Sequence, residues 1–201
     1  MLNNRIGKPL RLRLGVFLVL AVLAGLGLWW HCWKHPAGNA QHANPSVREF
    51  TLAELTNRDG LLYAPGESTP FDGLLYENFP GSKRKLEIEI HDGRAHGRSV
   101  GYFENGKLEV EEYFTAGVSH GLRTRWDEAG WKKSQEQIEH GKLNGPHLEW
   151  YANGTKAVSM TLKDNQPEGL AEAWYPDGRL KSRTHFVAGK IVKREYFPTG
   201  T

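Results

Sequence analysis

Five histidines between residues 91 and 147 are the side chains best suited to hold a metal or move a proton: His91, His96, His120, His140 and His147. The single cysteine, Cys32, excludes a cysteine-based zinc site and an intramolecular disulfide. His96 and His120 stand 24 residues apart, and that interval recurs throughout the chain. If 24 residues make one two-strand unit, equivalent strands lie about 9.5 Å apart, twice the ~4.8 Å strand spacing. Ligands of one zinc ion must each reach it at about 2.0–2.1 Å. These two histidines therefore read as turn and rim residues.

Carboxylates offer a second possibility. His91-Asp92 and the run Glu109, Glu111, Glu112 have the residue types of acid–base or calcium chemistry. In a strand, odd and even members of such a run face opposite ways, so a solvated sheet face accounts for them. No Gly-x-Ser-x-Gly elbow, phosphate-binding loop or His-Glu-x-x-His occurs. The sequence contains no catalytic constellation, no metal set and no cofactor motif.

What remains is aromatic. Tyr102, Trp126, Trp150 and Trp174 fall at 24-residue steps. They read as a candidate binding surface or as a stacking ladder in which each ring packs on the next unit. The elements that carry them follow from three glycine series with the same period: Gly73, Gly97, Gly121, Gly145, Gly169; Gly106, Gly130, Gly154, Gly178; and Gly93, Gly117, Gly141, Asn165, Gly189. A fixed period of this size marks a repeat architecture.

Within each unit, apolar and polar residues alternate with period two, as in Leu108-Glu109-Val110-Glu111 and Lys156 to Leu162. That is a strand. Asn153-Gly154 and Asp177-Gly178 read as tight hairpin turns, which need positive φ. Asn153-Gly154-Thr155 also fits a glycosylation sequon, but it lies in that turn. Each repeat is strand, turn, strand, turn. The expected fold is all-β: an elongated antiparallel meander of 24-residue β-hairpin repeats over 73–201, with residues 48–72 as an N-terminal cap.

The Tyr/Trp-Tyr-x-Asn-Gly-Lys turns and the His96-Gly97, His120-Gly121 and Asn144-Gly145 pairs that open successive units resemble the MORN-repeat variant family. Arg58 to Gly73 resembles the lead-in to such repeats. The resemblance implies a repeat fold and a non-enzymatic role. It also implies two family associations: an antitoxin-like label for bacterial members, and membrane-associated scaffolding for eukaryotic relatives.

The first 35 residues differ in kind. Leu14 to Trp30 has no charge over 17 residues, and Arg5, Lys8, Arg11 and Arg13 precede it. Trp29, Trp30 and Trp33 crowd its far end as membrane-interface residues. Extended to Trp33, the run has the roughly 20 residues that cross a bilayer. The expected organisation is a cytoplasmic tail (1–13), one transmembrane helix (14–33) and a linker (34–47), with the repeats extracytoplasmic. The competing reading, a cleaved signal peptide, gives the same location.

Five of the 26 Lys and Arg residues lie in 1–35, which leaves 21 against 23 Asp and Glu in the remainder. That near-neutral balance speaks against a nucleic-acid partner. It also disfavours a lipid-headgroup-binding surface, the first alternative to a membrane-anchored scaffold that binds another protein. A toxin-neutralising partner is the second alternative.

Overall fold

The computed structural model describes residues 47–198. The expected transmembrane helix, with Trp29, Trp30 and Trp33, lies outside them. The described residues form fifteen strands and no helix. These are β1 (Glu49–Thr51), β2 (Thr56–Arg58), β3 (Leu61–Tyr63), β4 (Gly73–Asn78), β5 (Arg84–His91), β6 (Arg94–Tyr102), β7 (Leu108–Thr115) and β8 (Val118–Ser119). They continue with β9 (Gly121–Trp126), β10 (Lys132–Glu139), β11 (Lys142–Trp150), β12 (Lys156–Lys163), β13 (Gln166–Trp174), β14 (Leu180–Val187) and β15 (Lys190–Tyr196).

From β4 onward each strand pairs antiparallel with its successor, so the repeats form one meander. β8 is a short side pairing on β7, and β7 continues to β9. β1 joins the other side of β4 in parallel, and β2 and β3 make a separate hairpin.

Directly paired residues share a face of the sheet. One repeating pair explains the first glycine series. Gly73 faces Ile90, Gly97 faces Phe114, Gly121 faces Ile138, Gly145 faces Leu162, and Gly169 faces Phe186. Ile90, Phe114, Ile138 and Leu162 are buried. The apolar core of the repeats is thus a column with glycine opposite each member. A Cβ at Gly97 (φ 94°) would fall on the Glu89 carboxylate.

At the N-terminal end the cap supplies a second layer. Leu55, Leu62, Ala64 and Phe71 bury against Leu75, Ile88 and Ile90. The cap is stitched to the β5–β6 turn, since Leu62 N–H donates to the Gly93 carbonyl and Gly93 N–H to that of Phe71, both at 2.9 Å.

The turns alternate in kind along the meander. At one rim, two-residue turns put both residues at positive φ: Asp92-Gly93, Ala116-Gly117, His140-Gly141, Asp164-Asn165 and Ala188-Gly189. This is the type I′ geometry that matches strand twist. Asn105-Gly106, Asn153-Gly154 and Asp177-Gly178 sit at the other rim and are different. Around Asn153-Gly154, Gly154 N–H donates to Tyr151 O and Tyr151 N–H to Thr155 O, both at 2.9 Å. That is a three-residue loop whose last residue alone is left-handed, with Gly154 at φ 81°.

Asn153 contributes through its side chain instead. Its Oδ1 accepts from Thr155 N–H at 3.0 Å, and its Nδ2 donates to Pro176 O in the next repeat at 2.7 Å. Asn105 does the same with Lys107 and Glu128. In the first such loop Ser82 (φ 72°) takes the left-handed position.

Because nothing lies within 4 Å of a Cβ built at Gly154, Gly154→Val isolates backbone strain. The variant is expected to lose about 1–3 kcal/mol of stability. Thermal melts check this, and an unchanged melting temperature contradicts the turn.

Candidate functional site

The histidines fall where turns need acceptors. Residues 72, 96 and 168 occupy equivalent positions, and each accepts the backbone N–H of the turn one repeat on: Asp92 to Asp72 Oδ1 (2.8 Å), Ala116 to His96 Nδ1 (3.4 Å) and Ala188 to Glu168 Oε2 (2.7 Å). His120 and His140 make a ring contact at the same place in their repeat, with centroids 5.4 Å apart. The rings that meet are thus His91–His96 and His120–His140. His96 and His120, a full repeat apart, do not.

Among the described residues one group of three metal-capable donors converges, Asp72, His91 and Asp92, with ligand atoms within 4.8 Å of one another. All three are exposed. Asp72 Oδ1 is already engaged by Asp92 N–H and by His91 Nδ1 at 2.6 Å. The Asp92 amide, more than the His91 ring, holds the Asp72 carboxyl below its ordinary range. The group reads as a rim cap.

The acidic run is less solvated than its pattern suggests. Glu111 and Glu112 do take opposite faces, but each is ion-paired, to Arg98 and to Arg123 respectively. On the Glu112 face a polar row continues from Arg123 to Glu136 and His147. Glu136 is buried, and it lies 3.7 Å from Arg123, 3.4 Å from Arg125 and 3.5 Å from His147 Nδ1. His147 Nε2 bonds Glu149 at 3.0 Å and lowers the Glu149 pKa. Glu112, Arg123 and Glu136 alternate in sign along this row.

The aromatic column is where side chains remain available. Tyr102, Trp126, Trp150 and Trp174 end β6, β9, β11 and β13 and are all half-buried. They do not stack ring on ring as expected, and the reason is geometric. Equivalent strands stand about 9.5 Å apart, beyond the 4.5–7 Å centroid range of aromatic pairs, so the intervening strand must fill the gap. It does so with lysine. Lys132 pairs with Trp126 and places Nζ 5.1 Å from the Trp150 ring centroid. Lys156 pairs with Trp150 and reaches Trp174 at 5.4 Å. From Trp126 to Trp174 the column runs aromatic, lysine, aromatic, lysine, aromatic, while Tyr102 and Trp174 pair with Leu108 and Leu180.

Beside it lies a residue that the periodic reading missed. Trp131 takes the turn position held elsewhere by Lys107, Thr155 and Arg179, and it is 55% exposed. Together with Lys132, Trp150, Tyr151 and Gly154 it lines an open cleft of about 270 Å³. A tryptophan in a column of polar turn residues was the available signal. A second cleft, of about 510 Å³, opens further along the same rim between Tyr102, Phe103 and Glu109. The arrangement offers ring faces and charge to a guest, with no nucleophile–base pair at either cleft.

No curated protein matches the chain. The model of the family described as MORN repeat variant matches residues 95–116 and 167–188. Each match spans one three-residue turn of the wide-turn rim together with the two strands it joins, and the two start three 24-residue periods apart. Residues 95–116 and 167–188 are therefore MORN repeat variants.

Proposed function

We propose that this protein is a non-enzymatic, membrane-anchored binding module whose repeats lie outside the cytoplasm and dock another protein along the wide-turn rim. MORN repeats are in general protein- or membrane-binding units. The observation that carries the reading is Trp131, exposed beside the half-buried Trp150 and Tyr151 in an open cleft. Trp and Tyr dominate binding hot spots because they bury much area at small entropic cost. The anchor rests on the uncharged run from Leu14 to Trp30 with cations before it and tryptophans after it.

Two measurements test the proposal together. A reporter fused after Thr201 is expected to be active only outside the cytoplasm, on a mature chain that retains Met1 to Trp33. A crosslinking pull-down from membranes is expected to recover a partner with the native chain and to lose it with Trp131→Ala. That variant should keep its melting temperature, since surface changes stay within about 0.5 kcal/mol. A reporter active in the cytoplasm overturns the location. Undiminished recovery with Trp131→Ala overturns the cleft.

A further inference from the structure

The second cleft combines uncovered rings with unpaired carboxylates. Several rings of the sheet are covered by a cation of the chain itself: Tyr76 by Arg84, Trp150 by Lys132, Trp174 by Lys156, Tyr175 by Lys181 and Tyr196 by Arg194. The three rings that line the second cleft, Phe79, Tyr102 and Phe103, carry none among the described residues. The repeat register gives the reason at one position. Glu109 stands where Lys181 reaches Tyr175, the equivalent of Phe103, in the last repeat.

The charge around these rings is also reversed. Glu104, Glu109 and Glu128 line the same cleft. The equivalent of Glu109 is Lys133 in the next repeat and Lys181 in the last, while those of Glu104 and Glu128 later on are Ala152 and Pro176. A bulge aims Glu109 here: Gly101 pairs with Val110 but Tyr102 with Leu108, which leaves Glu109 as the extra residue beside Tyr102. None of the three carboxylates has an ion-pair partner among the described residues. The nearby lysines are turned to backbone carbonyls instead, Lys83 to Glu104 O at 3.0 Å and Lys107 to Ala129 O at 2.7 Å.

We infer that this aromatic cleft receives a lysine or arginine side chain from an extended basic segment of a partner protein, in the place that Lys181 fills over Tyr175 in the last repeat. Ring faces attract a cation through the quadrupole, and the unpaired carboxylates supply the complementary charge and steer its approach. The inference rests on the docking role proposed for this rim and names the chemistry of the partner.

A fluorescent tetralysine peptide, titrated against the full chain in nonionic detergent micelles, is the direct probe, with tetraglutamate as its counterpart. Tetralysine is expected to bind and tetraglutamate not to. The combined variant Glu104→Gln, Glu109→Gln, Glu128→Gln is expected to bind tetralysine at least tenfold more weakly, with an unchanged melting temperature, because these groups hold nothing in the fold. Phe103→Leu keeps apolar volume but removes the ring face, and a two- to fivefold loss is expected. Trp131→Ala, at the other cleft, should leave tetralysine binding intact.

Absence of tetralysine binding overturns the inference, as does equal binding by the triple variant or by tetraglutamate. Displacement of tetralysine by phosphocholine as readily as by free lysine would assign the cleft to a lipid headgroup and overturn the peptide. If tetralysine fails while Trp131→Ala still abolishes partner recovery, this inference falls and the docking role stands.

Discussion

Phe71→Ala is expected to destabilise the protein by about 3–5 kcal/mol, the range for removing a large aromatic from a core. Phe71 is the one large side chain among the described residues with no exposure. It meets Phe50 edge to face at 5.4 Å. Its backbone is held on both sides, with Phe71 N–H on Leu62 O at 2.8 Å and Gly93 N–H on Phe71 O at 2.9 Å. The site cannot collapse easily around the missing ring, because the cap and the β5–β6 turn are tied together through that same backbone. Denaturant unfolding of the full chain measures the loss. A value under about 1 kcal/mol would mean that the cap does not seal the sheet as the packing indicates.

The second large effect is expected at Ile138. This residue is 3% exposed and sits directly between Gly121 on β9 and Leu143 on β11. Ile138→Ala should lose about 2–5 kcal/mol, since Gly121, its partner on β9, has no side chain to fill the space. Trp150→Ala provides the comparison. Trp150 is half-buried and its ring is covered by a lysine, so about 1–3 kcal/mol is expected despite the larger ring. If Trp150→Ala proves more damaging than Ile138→Ala, the aromatic column is the true core and the Gly–apolar column is secondary. The order of the two melts decides between them.

The pair Ile138 and Trp150 shows where a sequence reading stops. Periods of 24 in the glycines and of two in the strands are local properties, and they determined the all-β meander, its repeat unit and its turn positions. They could not determine turn type. Asn153-Gly154 carries the residue signature of a two-residue turn, yet the two-residue turns belong to Ala116-Gly117 and His140-Gly141 at the opposite rim. Loop length depends on where strand pairing ends, and pairing is set by the whole register.

Nor could spacing say which column is buried. Both Ile138 and Trp150 recur every 24 residues, but the glycine that faces Ile138 lies 17 residues upstream on another strand, a relation visible only once the strands are paired. The same holds for the site. Equal steps in sequence suggested rings stacked on rings, and the two-strand spacing made room for a lysine between them. The expectation of a membrane span rests on the Leu14–Trp30 run and its flanking charges alone, and it lies outside the described residues. The clefts were not legible in the sequence, because Trp131, Glu109 and Glu128 come together only when the wide turns align along one rim and a bulge turns Glu109 toward Tyr102.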